Sequence, residues 1–263
     1  MVMKPVILMK LFLTVLILWV ATPSLHSQSS AGMAATVEPR FLIDIPTAGV
    51  LEPGSFSADM DLFQAGGMMI RINAGIIPNL SFGISYGANH VVGSEKIAVN
   101  PIPGINIRLR VLDETEFFPA VLIGFDSQGK ESYIKETKRY TIKSPGFFVV
   151  ASKNYDLLGY LSVHGGVNYS LESKDKSNAP NLYAGVEKTV GSNVSLLLEY
   201  NMALNDARGD AVGRGRGYLN SGIRWSVGKG FTLGFDTKDF FKNRRDRFSV
   251  ANRTVFLEYI AFF

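Results

Sequence analysis

The stretch "RTVFLEYIAFF", Arg253 to Phe263, decides the fold. Val255, Leu257, Tyr259, Ala261 and Phe263 form one apolar row. Thr254, Phe256, Glu258, Ile260 and Phe262 form a mixed row with a carboxylate near its middle. Alternation of period two describes a half-buried strand. The open point is what the apolar row is buried against.

Moving outward from this end, the same alternation fills the chain back to Gly54, with no amphipathic helix of useful length. Phe56, Ala58, Met60 and Leu62 lie opposite Ser57, Asp59 and Asp61. Ile105, Ile107, Leu109 and Val111 lie opposite Asn106, Arg108 and Arg110. Leu161, Val163 and Val167 face away from Ser162, His164 and Asn168, and Val194, Leu196 and Leu198 from Ser195 and Glu199. Gly146 to Lys153 is apolar on both rows and its faces cannot be assigned from sequence. Tight connections such as "GIIPN", "NYDLLG", "TVGSN" and "VGKG" alternate with long polar ones at 89–101, 126–145, 172–180, 205–217 and 238–248.

The N-terminus reads as a secretory signal in three parts. "MVMKPVILMK" supplies two lysines, Leu11 to Ala21 is an apolar run, and "TPSLHSQSSAG" offers small residues for cleavage near Ser24 or Ser27. The apolar run is too short to cross hydrocarbon as a helix, which needs roughly 20 residues. The expected organisation is a signal peptide over 1–27, an extended periplasmic leader or plug over 28–53, and a barrel over 54–263. The formal charge of +4 falls to +2 when Lys4 and Lys10 leave with the signal, since no acid precedes Glu38. No concentrated basic face argues for nucleic acid. Cysteine is absent, which excludes disulfides and thiolate metal sites. "DETE", Asp113 to Glu116, has no histidine beside it and reads as an acidic turn, so neither a metal nor a cofactor is expected.

A two-faced sheet has three options: pack on a second sheet, close around an apolar core, or close with its apolar face in lipid. The rows opposite the apolar ones hold Asp59, Arg71, Arg108, Arg110, Glu187, Glu199, Arg224, Asp236 and Glu258. Combined with the export signal and the alternation of short and long loops, these point to an apolar exterior and a polar lumen. Trp225, Phe231 and Phe263 lie near short turns, and Tyr86, Phe125, Tyr169 and Tyr200 near long loops, so two aromatic girdles emerge. The expected fold is an all-β, up-and-down antiparallel transmembrane β-barrel of about 12 strands in the bacterial outer membrane.

The ending resembles the C-terminal sorting signal of outer-membrane barrels, in which a final aromatic closes a row of apolar residues two apart. Val255, Leu257, Tyr259, Ala261 and Phe263 fit that pattern, and the resemblance implies recognition by the barrel-assembly machinery. "LIDIPTAGVLEPGSF", "NLSFGISYGANHVVG", "NPIPGINIRLR", "FFPAVLIGFDSQG", "GFFVVASKNY" and "LGYLSVHGGVNYSLE" resemble the YjbH-like group of outer-membrane proteins. That resemblance implies a link to exopolysaccharide production or export and to the proteins that carry it out.

Three constellations remain. Arg71, Arg108, Arg110 and Arg224 either form a basic strip for anionic solutes or are neutralised by Asp59, Asp61, Glu187, Glu199, Asp236 and Glu258, which favours a closed lumen. His164 with Ser162, Asn168 and Ser170 is the only set suggesting a lipid-modifying enzyme, and it lacks a visible oxyanion site. "KNRRDR", Lys242 to Arg247, is the densest basic run and a candidate contact for lipopolysaccharide phosphates. The sequence thus favours a non-enzymatic envelope barrel or narrow pore in contact with outer-membrane lipid. The rivals are a barrel enzyme and a secreted soluble ligand-binding barrel.

Overall fold

The structure is a computed structural model that describes residues 38–245 and 252–263. The signal peptide, its cleavage site, residues 28–37 and Asp246 and Arg247 of the basic run lie outside the described residues. Twelve strands make the wall: β1 (Ser55–Phe63), β2 (Gly67–Ile77), β3 (Leu80–Asn89), β4 (Gly104–Leu112), β5 (Ala120–Asp126), β6 (Gly146–Asp156), β7 (Tyr160–Tyr169), β8 (Asn181–Val190), β9 (Val194–Asn201), β10 (Tyr218–Gly228), β11 (Phe231–Lys238) and β12 (Asn252–Phe262). Each pairs antiparallel with the next, and β12 returns to β1 in register from Ser55↔Phe262 to Leu62↔Val255. Closure leaves the wall without an edge, as hydrocarbon requires, because an unpaired backbone group there costs several kcal/mol.

Alternation sorts the side chains as a membrane wall demands. Ile72, Ile84, Leu198 and Trp225 are 52%, 50%, 48% and 48% exposed on the outside, while Arg108 and Glu199 are 1% and 0% exposed within. A soluble ligand-binding barrel would turn its oily rows inward, so that rival falls.

The strand ends also separate. Connections 78–79, 113–119, 157–159, 191–193 and 229–230 are short and lie at one end, with the start of β1. The long connections 90–103, 127–145, 170–180 and 202–217 and the described residues 239–245 lie at the other, together with one short turn, 64–66. Short turns mark the periplasmic end of such barrels. Three register shifts, at Gly75/Ile77, Arg110/Leu112 and Ser226/Gly228, fall at that end, where bulges release strands into tight turns.

The lumen differs from the uniformly polar interior expected. Leu122 of β5, Phe148 and Val150 of β6, Tyr183 of β8 and Leu197 of β9 turn inward and pack against Leu42, Ile43, Ile45, Ala48 and Val50 of the N-terminal segment. This resolves the doubly apolar strand: Phe147 and Val149 face lipid, and Phe148 and Val150 face an apolar insert. Residues 39–51, read as an extended leader or plug, are folded inside the barrel.

Candidate functional site

The insert is a tight loop. Phe41 and Pro46 form an antiparallel bridge, the Leu42 amide donates to the Ile45 carbonyl at 3.0 Å, and the Thr47 amide to the Arg40 carbonyl at 3.1 Å. Prolines at 46 and 53 deny it a ladder of its own, so its polar backbone is satisfied by the wall. The amides of Ile43, Asp44 and Ile45 converge on the Glu199 carboxylate at 2.9, 3.0 and 3.2 Å. Successive amides arranged in this way form an anion-binding nest, and here the anion is a wall residue. Arg108 donates to the carbonyls of Gly49 at 3.0 Å and Thr47 at 2.5 Å, Arg110 to that of Ala48 at 3.1 Å, and Arg224 to that of Leu42 at 3.0 Å. Three arginines that resembled a basic strip therefore hold the insert's backbone.

Side chains complete the seal. Arg40 pairs with Asp59 at 2.9 Å and also with Glu258 and Ser57, joining β1 and β12 through the insert. Asp44 accepts from Lys238 at 2.7 Å and Asn220 at 3.3 Å. The Phe41 ring is flanked by three cations, with Arg71, Arg108 and Lys130 at 5.3, 5.3 and 4.9 Å from its centroid. A ring face attracts such charges electrostatically. Leu42 and Ile45 sit over Gly185, where a β-carbon would lie 2.3 and 3.2 Å from their methyl groups, so only glycine leaves room for them. A cavity beside Arg40, Phe41 and Leu42 measures 20 Å³, room for about one water.

Of the other interior charges, Arg71 pairs with Asp61 at 2.8 Å, Arg224 with Asp236 at 2.5 Å and Arg110 with Glu38, while Glu187 bonds Ser195. The nine candidate side chains are therefore all buried, and eight of them, all but Glu187, touch the insert or an oppositely charged wall residue directly. Arg108 and Glu187 have no opposite charge within ion-pair distance among the described residues, and Arg108 is held by carbonyls instead.

At the other end the long loops pack on one another. Arg139 bridges Asp175 at 2.6 Å and Asp206, Lys143 reaches Asp175 at 2.8 Å, and Tyr218 donates to Asp206 at 2.6 Å. Burial alone would lower the Arg139 guanidinium, but Asp206 and Asp175 outweigh it and hold it above its ordinary value. Burial draws the Lys143 ammonium below its ordinary value despite Asp175. Arg244, in the basic run, is buried against Glu131 at 2.5 Å and is not available to an external phosphate.

The candidate catalytic set does not assemble. His164 Nδ1 lies 2.8 Å from Ser152 of the neighbouring strand, not Ser162, whose hydroxyl is bonded to Asn154. Ser152 Oγ also accepts the Ala48 amide at 2.9 Å. Asn168 donates to the Pro145 carbonyl at 2.8 Å. The serine and histidine are buried under the insert and serve to seat it.

At the C-terminus, Val255, Leu257, Tyr259 and Ala261 occupy the outward row of β12. Phe263 stacks on Phe56 with centroids 6.5 Å apart, and its amide donates to the Gly54 carbonyl at 2.9 Å. With an edgeless wall, an oily exterior and a filled, charged interior, the assignment is decided. The chain is an outer-membrane β-barrel with its own residues 39–51 inside the lumen.

No protein-family profile matches the sequence, and no curated protein sequence matches it. Among solved structures it is similar to the KdgM porin, at 11% identity and a TM-score of 0.49 over 80% of this chain and 99% of that one. It is also similar to the NanC porin, at 9% identity and 0.42 over 79% and 99%. The membrane assignment rests on the chemistry of the wall and not on these likenesses.

Sequence reasoning missed Arg40, Phe41, Asp44, Lys130 and Lys238. The signal for them was present: "RFLID" brackets apolar residues with opposite charges, too oily for a solvated leader, and "GFFVV" left an inward row in need of an apolar partner.

Proposed function

We propose that the chain is a non-enzymatic envelope barrel, a narrow pore held shut by its own residues 39–51 and opened when they withdraw toward the short-turn end. The observation that carries this reading is the Glu199 nest that seats the insert inside the barrel. The stopper is held by polar contacts to its backbone and by an apolar cluster around Leu42 and Ile45, so displacing it requires both to give way. The resemblance of six segments to the YjbH-like group supports a place beside exopolysaccharide-export proteins. A lumen this full is no conduit for a polymer while closed, so the role is that of a regulated envelope component. The C-terminal row supports recognition by the barrel-assembly machinery.

Gly185→Leu tests the reading, because a leucine there takes the space of Leu42 and Ile45. In planar bilayers the unmodified protein is expected to be silent and the variant to give current steps, with heat-modifiable migration on gels retained in both. A folded variant as silent as the parent would contradict a displaceable stopper.

A further inference from the structure

The outside of the wall carries a second site. On the lipid face of β4 to β7 a groove of 500 Å³ runs between Ile107, Ile123, Phe125, Phe147, Val167 and Tyr169. Toward the long loops, Gly104 lies three residues from Ile107 along β4, and Ser127 two from Phe125. Both border a pocket of 780 Å³. At strand spacing the pocket therefore begins about 10 Å above the groove on the same strands. Its volume lies within the range of small-molecule sites.

The pocket changes chemistry with height. Val99 and Ile102 give it an apolar wall, and Tyr86, Tyr133 and Tyr140 give it aromatic faces. Tyr86 points out toward lipid and donates to the Asn100 carbonyl at 3.0 Å, and Tyr133 packs edge-on against Tyr140 at 5.1 Å. Lys135 and Lys138 stand exposed in the turn above, within the loop hairpin Lys130–Ile134 and Arg139–Ile142. Neither lysine has a carboxylate within ion-pair distance among the described residues. The nearby acids are Glu136, exposed between them, and Glu172, whose carboxylate accepts the amides of Tyr140 at 2.9 Å and Ser144 at 3.0 Å.

We propose that this wall binds a phosphorylated, multiply acylated glycolipid of the outer leaflet, the chemistry of lipopolysaccharide. Acyl chains lie in the groove, sugars rest against the tyrosines, and a phosphate meets Lys135 and Lys138 by charge-assisted hydrogen bonds. Two lysines on a loop are ordinary solvated charge when isolated. Here they border a pocket that lies above the lipid-face groove, at the headgroup level where tyrosines belong. This site is separate from the contact expected of Lys242–Arg247, of which Arg244 is already paired with Glu131. The inference rests on the outer-membrane orientation with long loops outward, and it stands whether or not the lumen conducts.

The test uses the full chain in detergent, its fold checked by heat-modifiable migration, with lipid retention read by native mass spectrometry. The probes are bisphosphorylated lipid A, the same lipid without phosphates, and phosphatidylglycerol. Retention of the first is expected to exceed that of the second by about tenfold or more, the effect of two lysines at a membrane surface. K135E/K138E is expected to abolish that preference and K242E to leave it intact. The proposal is overturned by equal retention of phosphorylated and dephosphorylated glycolipid, or by phosphatidylglycerol retained as strongly as the glycolipid. It is equally overturned if K135E/K138E binds like the parent or K242E loses binding to the same extent.

Discussion

Arg40 shows how one side chain couples the insert to the wall. Its guanidinium lies between Asp59 of β1 and Glu258 of β12, the two strands whose pairing closes the barrel. Arg40→Ala would leave two buried carboxylates facing each other without their cation, a loss of about 3–5 kcal/mol. Equilibrium unfolding in urea is expected to show a destabilisation of that order, and an unchanged midpoint would argue that the insert is not seated there. The partners were legible in the sequence, because Asp59 and Glu258 fall on the polar rows that period two defines. Arg40 was not, because residues before the first strand have no periodicity to say which way they face. Glu199 has the same history: its inward position could be read, but its ligands could not, since they are backbone amides of Ile43, Asp44 and Ile45 and leave no mark in side-chain identity.

At the scale of elements, the strands were readable because lipid on one side and charge on the other impose strict alternation, and the turns because they break it. Strand β6 was the exception, and its two apolar rows required the apolar insert as their explanation. The long loops are polar in sequence, yet Arg139, Asp175 and Asp206 are buried from three different connections. Loop folding of this kind depends on which segments meet over the mouth, and alternation within a strand does not encode it. Arg139→Ala removes the shared cation from Asp175 and Asp206. The loops of this variant are expected to be cut by trypsin or a similar protease several times faster than those of the parent, while the barrel core stays resistant. Equal cleavage rates would show that the ion cluster does not hold the loops together.

For the whole molecule, closure and filling are separate achievements. Closure depends on the β12–β1 seam, where Phe263 stacks on Phe56 and its amide reaches Gly54. Removing Phe263 is expected to lower the fraction of heat-modifiable barrel recovered from membranes several-fold without changing expression, and normal recovery would speak against an assembly role for the terminal ring. Filling depends on residues 39–51, and the account as a whole turns on them. The measurement that tests it most directly is single-channel recording in planar bilayers of the full chain beside a chain lacking residues 39–51, both verified as folded by heat-modifiable migration. Silence from the full chain and stable current steps from the shortened one are predicted. Equal conductance in the two, or silence from a folded shortened barrel, would contradict the claim that this segment is the stopper.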